Sequence, residues 1–153
     1  MRTLALAVAF GSLLAAPVVQ AQKVKSVPFS YLPEQGEDRY NMRVPQKSLA
    51  LPSGGFVILA HQSGSAYAVE RYDASLKKQW STTLPVAPGE TVEAFGRSSE
   101  QVWVVLHHAD EAGQNLTVYP VALGGGRKGT PVALVQAPAA DRRPVVRISP
   151  DGT

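Results

Sequence analysis

The densest run of residues able to do chemistry is His107-His108 followed by Asp110-Glu111. Imidazole and carboxylate are metal ligands and proton carriers, so this stretch is the first place to look for a site. In an extended strand, however, neighbouring side chains point to opposite faces, and His107 and His108 cannot easily hold one ion. The only other histidine is His61. His61 and His107 each close an apolar run, so a repeat would give one histidine per unit at equivalent strand ends, along one rim. The simpler reading is that His61, His107 and His108 are strand-end residues near solvent. They are rim candidates, and no catalytic, cofactor or metal role is assigned to them.

Other candidates fail on spacing. Gly124-Gly125-Gly126-Arg127-Lys128-Gly129-Thr130 looks like a phosphate loop, but that loop needs a Gly-Lys-Ser/Thr ending that runs into a helix. Here Lys128 precedes Gly129 and β-formers follow, which predicts a hairpin loop. Ser63-Gly64-Ser65 and Ser98-Ser99 lack the Gly-x-Ser-x-Gly frame of a nucleophile elbow. Nothing in the spacing of Glu90, Glu93, Asp110 and Glu111 selects an acid–base pair. The chain has no cysteine. That excludes a disulfide framework, a thiolate metal site and a cysteine nucleophile. No cofactor is implied.

The elements that would position these residues read as all-β. From Ser48 onward, short runs rich in Val, Tyr, Trp, Phe and Thr alternate with Gly, Pro, Ser and Asp. Turns are expected at Pro52–Gly55, Asp73–Ser75, Ser98–Glu100 and Gly124–Gly126. Phe56–Ala60 and Val102–Leu106 are continuously apolar, as strands covered on both faces are. Trp80, Trp103, Tyr67, Tyr72 and Tyr119 read as core. No window after the N-terminal segment keeps a helical apolar stripe, so no substantial helix is expected.

The N-terminal segment reads as a secretory signal peptide over 1–21. Arg2 is the positive start, Leu4–Ala16 the apolar stretch, Pro17 the break, and Val19-Gln20-Ala21 the cleavage site, with cleavage after Ala21. The expected location is secreted or periplasmic. The stretch is too short to span a bilayer, and the mature chain shows no transmembrane segment. Residues 22–47 read as an extended lead-in, with a short strand near Val24–Phe29. The net charge is only +3, and the leader removes one positive charge. That is too small and too scattered for nucleic acid to be the partner. The expected partner is a protein, peptide or carbohydrate, with self-association through open sheet edges.

Residues 48–153 also repeat. Gly55 and Gln101 precede the two continuous apolar runs, and Tyr72 and Tyr119 come late in the strands that follow. Both offsets are about 46 positions, within the range of a four-stranded propeller blade. The units fall near 48–90 and 91–138, with a third beginning about 144.

Leu51–Ile58 resembles the opening of WD40-like blades. Arg71-Tyr72-Asp73-Ala74-Ser75-Leu76-Lys77-Lys78-Gln79-Trp80 resembles the strand–turn–strand segment of secreted bacterial and quinoprotein-type propellers, which carry a glycine before the lysine where this chain has Leu76 or Lys77. Ile148–Thr153 is similar to the blade opening of TolB-type propellers. The resemblance implies a partial β-propeller of about two blades and the start of a third. A small β-sandwich or barrel is the alternative architecture. The ending Ser149-Pro150-Asp151-Gly152 reads as the first turn of a further blade, so a longer protein is expected. Propellers host binding and catalysis alike. The expected function is an exported binding or scaffold protein, and the alternative is the N-terminal part of a larger propeller-containing peptidase or quinoprotein.

Overall fold

The computed structural model describes residues 24–28, 44, 47–62, 66–139 and 143–149. The leader at 1–21, Ser63–Ser65 and the turn at 150–153 lie outside them. Eight strands follow in order: β1 (Ser48–Ala50), β2 (Phe56–His61), β3 (Ala66–Tyr72), β4 (Lys78–Pro85), β5 (Thr91–Arg97), β6 (Gln101–Asp110), β7 (Gly113–Ala122) and β8 (Val132–Ala137). They form two four-stranded antiparallel sheets, β1-β2-β3-β4 and β5-β6-β7-β8, each pairing strands in sequence order. The described residues contain no helix, so none is long and apolar enough to cross a membrane. The all-β reading holds at this level. Residues 24–28 and 143–149 are not strands. The apolar run before Ile148 has the composition of a strand, but no described strand offers it a ladder, and a strand without a partner leaves its backbone groups unpaired.

The core explains why β2 and β6 are apolar throughout. Val57 and Leu59 of β2 and Tyr67 and Val69 of β3 join Val102, Val104 and Leu106 of β6 and Val121 of β7 in one buried cluster. Successive strand residues point to opposite faces, so this cluster is the packing of one sheet face on the other. The alternate residues Ile58 and Ala60, with Tyr72, lie on the far face of the first sheet beside Val27 and Phe56. Ala94, Val105 and Leu116 lie on the far face of the second sheet beside Trp103, Val118 and Val146. Both sheets are therefore covered on both sides, the far faces by segments before β1 and after β8.

The register corrects one equivalence. Ile58 pairs with Glu70, and Val104 pairs with Tyr119. If β2 and β6 are equivalent strands, Tyr119 takes the place of Glu70 rather than that of Tyr72. Counting along the sequence equated the two tyrosines, but the hairpins joining the strands differ in length and shift the count.

The β3–β4 turn is held by Asp73. Its Oδ1 accepts the N–H groups of Ser75 at 2.8 Å and Lys77 at 3.0 Å, and its Oδ2 accepts Gln79 Nε2 at 2.7 Å. Leu76 sits at φ 65°, the only non-glycine residue with positive φ among those described. A residue with a Cβ therefore holds the left-handed conformation that glycine adopts most readily. A side chain there costs on the order of 1 kcal/mol. Leu76→Gly should raise the stability by about 1 kcal/mol, read as an upward shift of the urea midpoint at unchanged slope. A loss of stability would mean that the Leu76 side chain contributes more than its strain.

Candidate functional site

The three histidines do not share an environment. His61 ends β2 on the face toward the second sheet, its ring stacked on Tyr67 with centroids 4.8 Å apart. His107 points to the far face of the second sheet and is only 4% exposed. Its Nε2 lies 3.0 Å from Gln114 Oε1, a carbonyl oxygen that accepts the ring N–H. His107 is thus no rim residue. β6 runs three residues past it, because β7 pairs as far as Asp110↔Gly113. His108 is half-buried and donates from Nε2 to Asp110 Oδ2 at 3.2 Å. That bond and the N–H groups of Ala112 and Gly113 hold the Asp110 carboxyl below its usual range and close the β6–β7 turn. Among the described residues no group of three or more His, Cys, Asp or Glu could hold a metal ion.

Two other polar clusters are built more tightly. On the far face of the first sheet, the buried Glu70 accepts hydrogen bonds from Tyr72 Oη at 2.6 Å, Lys78 Nζ at 2.7 Å and Ser81 Oγ at 3.2 Å. Lys78 also lies over the Tyr72 ring, 5.7 Å from its centroid, and Phe56 stacks on the same ring with centroids 5.2 Å apart. Burial pushes the Glu70 carboxyl up, but the three donors and the Lys78 charge outweigh it and hold Glu70 below its usual value. Burial, then the hydrogen bond to Glu70 and its charge, raises Tyr72, and the hydrogen bond to Glu70 raises Lys78 against its own burial.

On the far face of the second sheet, Glu93 is the extra residue of a β-bulge between Val92 and Ala94. The bulge brings its carboxylate beside Thr91, whose Oγ1 donates to Glu93 Oε1 at 3.1 Å. Arg143, from the segment after β8, donates from Nη2 to both Thr91 Oγ1 and Glu93 Oε1. Val146 then packs onto Val105 and Leu116. A crevice of about 330 Å3 is lined by Glu93 and by Arg143, Pro144, Val145 and Val146 of this segment. A second, more apolar pocket of about 220 Å3 opens beside Leu84, Tyr119, Pro120, Lys128, Gly129 and Pro131.

In neither cluster does the geometry set up a nucleophile with its base. Each carboxylate is occupied by donors that neutralise it, which is the arrangement of a structural ion pair rather than of a poised acid. Sequence reading missed both. Glu70 had a visible signal, a carboxylate inside the apolar strand Ala66–Tyr72 with Tyr two positions on, on the same face. The Glu93–Arg143 pair had none, because a bulge is invisible to a period-two count.

The sheets are also sewn together along one edge. Leu123 O accepts Arg71 Nη1 at 2.5 Å and Trp80 Nε1 at 3.1 Å, and Gly126 O accepts Thr82 Oγ1 at 2.5 Å. Gly126 has φ 70°, and a Cβ there would sit 2.8 Å from the Trp80 ring. The β7–β8 turn of the second sheet is thus pressed onto β4 of the first. No family model matches the chain, and no curated protein or solved structure matches it either.

Proposed function

We propose that this chain is an exported binding or scaffold protein whose body is built of propeller-like blades, with no intrinsic catalysis. The observation that carries the architecture is which faces meet. The offset of about 46 that relates the apolar runs equates Ile58 with Val104 and Val57 with Trp103. Yet Val57 faces the second sheet while Trp103 faces away from the first, and Ile58 and Val104 are reversed in the same way. Equivalent faces therefore do not meet. The front of one unit packs on the back of the next, a heterologous contact that repeats rather than closing at two. That is the relation between neighbouring propeller blades. A two-fold sandwich of equivalent units would bring like faces together. The glycine-like Leu76 turn supports the same reading.

The binding reading follows from satisfied carboxylates and scattered histidines, and it takes a protein, peptide or carbohydrate as the partner class. Export rests on residues 1–21. Expression of the full chain in a bacterium, followed by fractionation and mass spectrometry, should give a product outside the cytoplasm that begins at Gln22. Retention of Met1 in a cytoplasmic product would remove the export reading. Turnover of any substrate that is abolished by His107→Ala or His108→Ala, with the fold intact, would remove the non-catalytic one.

A further inference from the structure

The pocket beside Leu84 and Tyr119 is built where the two sheets meet. β8 pairs with β7 only as far as Val118↔Val132, and beyond that point the chain from Lys128 to Pro131 runs beside Tyr119 and Pro120. That wall is fixed by the backbone. Lys128 bridges Val121, and the Gly129 N–H donates to Pro120 O at 2.8 Å. Gly129 leaves no room for a side chain, since a Cβ would come within 2.9 Å of Pro120 Cγ. Leu84, 2% exposed, reaches the pocket from β4 of the first sheet. The cavity of about 220 Å3 is thus preformed, and it is smaller than the roughly 300–1,000 Å3 of sites for drug-sized molecules.

We propose that this pocket binds a small free carboxylic acid with an aromatic or branched aliphatic body, its carboxylate held by Lys128. The walls are a leucine, a tyrosine ring and two proline rings, which suit an apolar body. Proline carries no N–H, and the Gly129 N–H and Pro120 O already pair with each other. The walls therefore offer a peptide backbone few partners, which favours a compact ligand with one polar end over a chain segment. The charge at the rim selects the sign of that end. Lys128 is exposed, and among the described residues no carboxylate pairs with it. Its Nζ reaches Thr83 O at 3.5 Å, a long hydrogen bond that is readily exchanged for one to a carboxylate. Tyr119 is raised from 10.0 by burial and then by the Glu90 charge, so this wall is uncharged at neutral pH. The site stands beside the macromolecular partner proposed above and does not depend on it.

Phenylacetate titrated into the purified full chain, followed by amide shifts in NMR, should bind saturably with a dissociation constant on the order of 0.1–1 mM. The shifts should centre on Leu84, Tyr119 and Gly129. Phenylacetamide, which keeps the ring without the charge, should bind about tenfold more weakly, and so should phenylacetate to Lys128→Gln. Lys128→Arg should restore most of the affinity. Glu90→Gln keeps an acceptor for the Ala87 N–H and should tighten binding, because the charge felt at Tyr119 also repels a carboxylate. A short peptide ending in phenylalanine presents the same ring and carboxylate with amides added, and it should bind no more tightly. Absence of saturable binding overturns the proposal. So does an affinity untouched by Lys128→Gln in a variant that melts with the parent chain, or tighter binding of the peptide.

Discussion

Leu59→Ala should lower the stability by about 3 kcal/mol and should do so for both sheets at once. Leu59 is 2% exposed and belongs to the cluster shared by the two sheets. Truncation to alanine removes the transfer free energy of the missing carbons and leaves a cavity lined from two sides, which neither sheet can close by moving alone. The chain supplies its own reporters. Trp80 lies in β4 of the first sheet and Trp103 in β6 of the second. Single-tryptophan variants, Trp103→Phe to watch the first sheet and Trp80→Phe to watch the second, should give coincident urea transitions. Leu59→Ala should move both midpoints down together. Two separate transitions, or a shift confined to Trp80, would refute a common core.

The second large effect is expected at Glu70. Glu70→Ala should cost about 3 kcal/mol at neutral pH. The loss falls on what remains: the Tyr72 hydroxyl is buried with no acceptor, while Lys78, about half exposed, finds water. Removing Lys78 instead should cost less, because an exposed partner is screened.

The pH dependence has two arms. The Glu70 carboxyl is lowered from 4.5, so its contribution is complete above that pH and is lost as pH falls through the folded value. Tyr72 and Lys78 are raised from 10.0 and 10.5, so their contributions are complete below pH 10 and are lost as pH rises through the folded values. Urea midpoints against pH should show a plateau between about pH 5 and 10 with a fall on either side. Glu70→Gln should lower the plateau and flatten both falls, and salt should shrink the Lys78 part of the alkaline arm. An unchanged profile in Glu70→Gln would assign the pH dependence to other groups.

What could be read from the sequence follows from what the strands must do locally. Phe56–Ala60 and Val102–Leu106 announced two-sided burial because both of their faces are covered, and the turns at Pro52–Gly55, Asp73–Ser75 and Gly124–Gly126 announced themselves by residue type. What could not be read depends on events away from the residue concerned. His107 looked like a strand end because the apolar run stops there, yet the hairpin with β7 extends to Asp110 and buries it. Tyr119 looked equivalent to Tyr72 until hairpin length set the register. Arg143 is distant in sequence from Glu93, and only the bulge in β5 brings the two together.

The seam at Leu123 and Gly126 has a consequence for the order in which the molecule is made. Every strand of the first sheet, through Pro85, leaves the ribosome before the strand that covers it. Until Val102, Val104 and Leu106 follow, the face carrying Val57, Leu59, Tyr67 and Val69 has nothing to pack on. At ordinary synthesis rates of about 5–20 residues per second that interval lasts a few seconds. The stitches from Arg71, Trp80 and Thr82 come later still, because their acceptors lie beyond β7. The nascent chain therefore passes through a stage in which a finished sheet displays an unfinished side, and during that stage a chaperone has an apolar surface to hold.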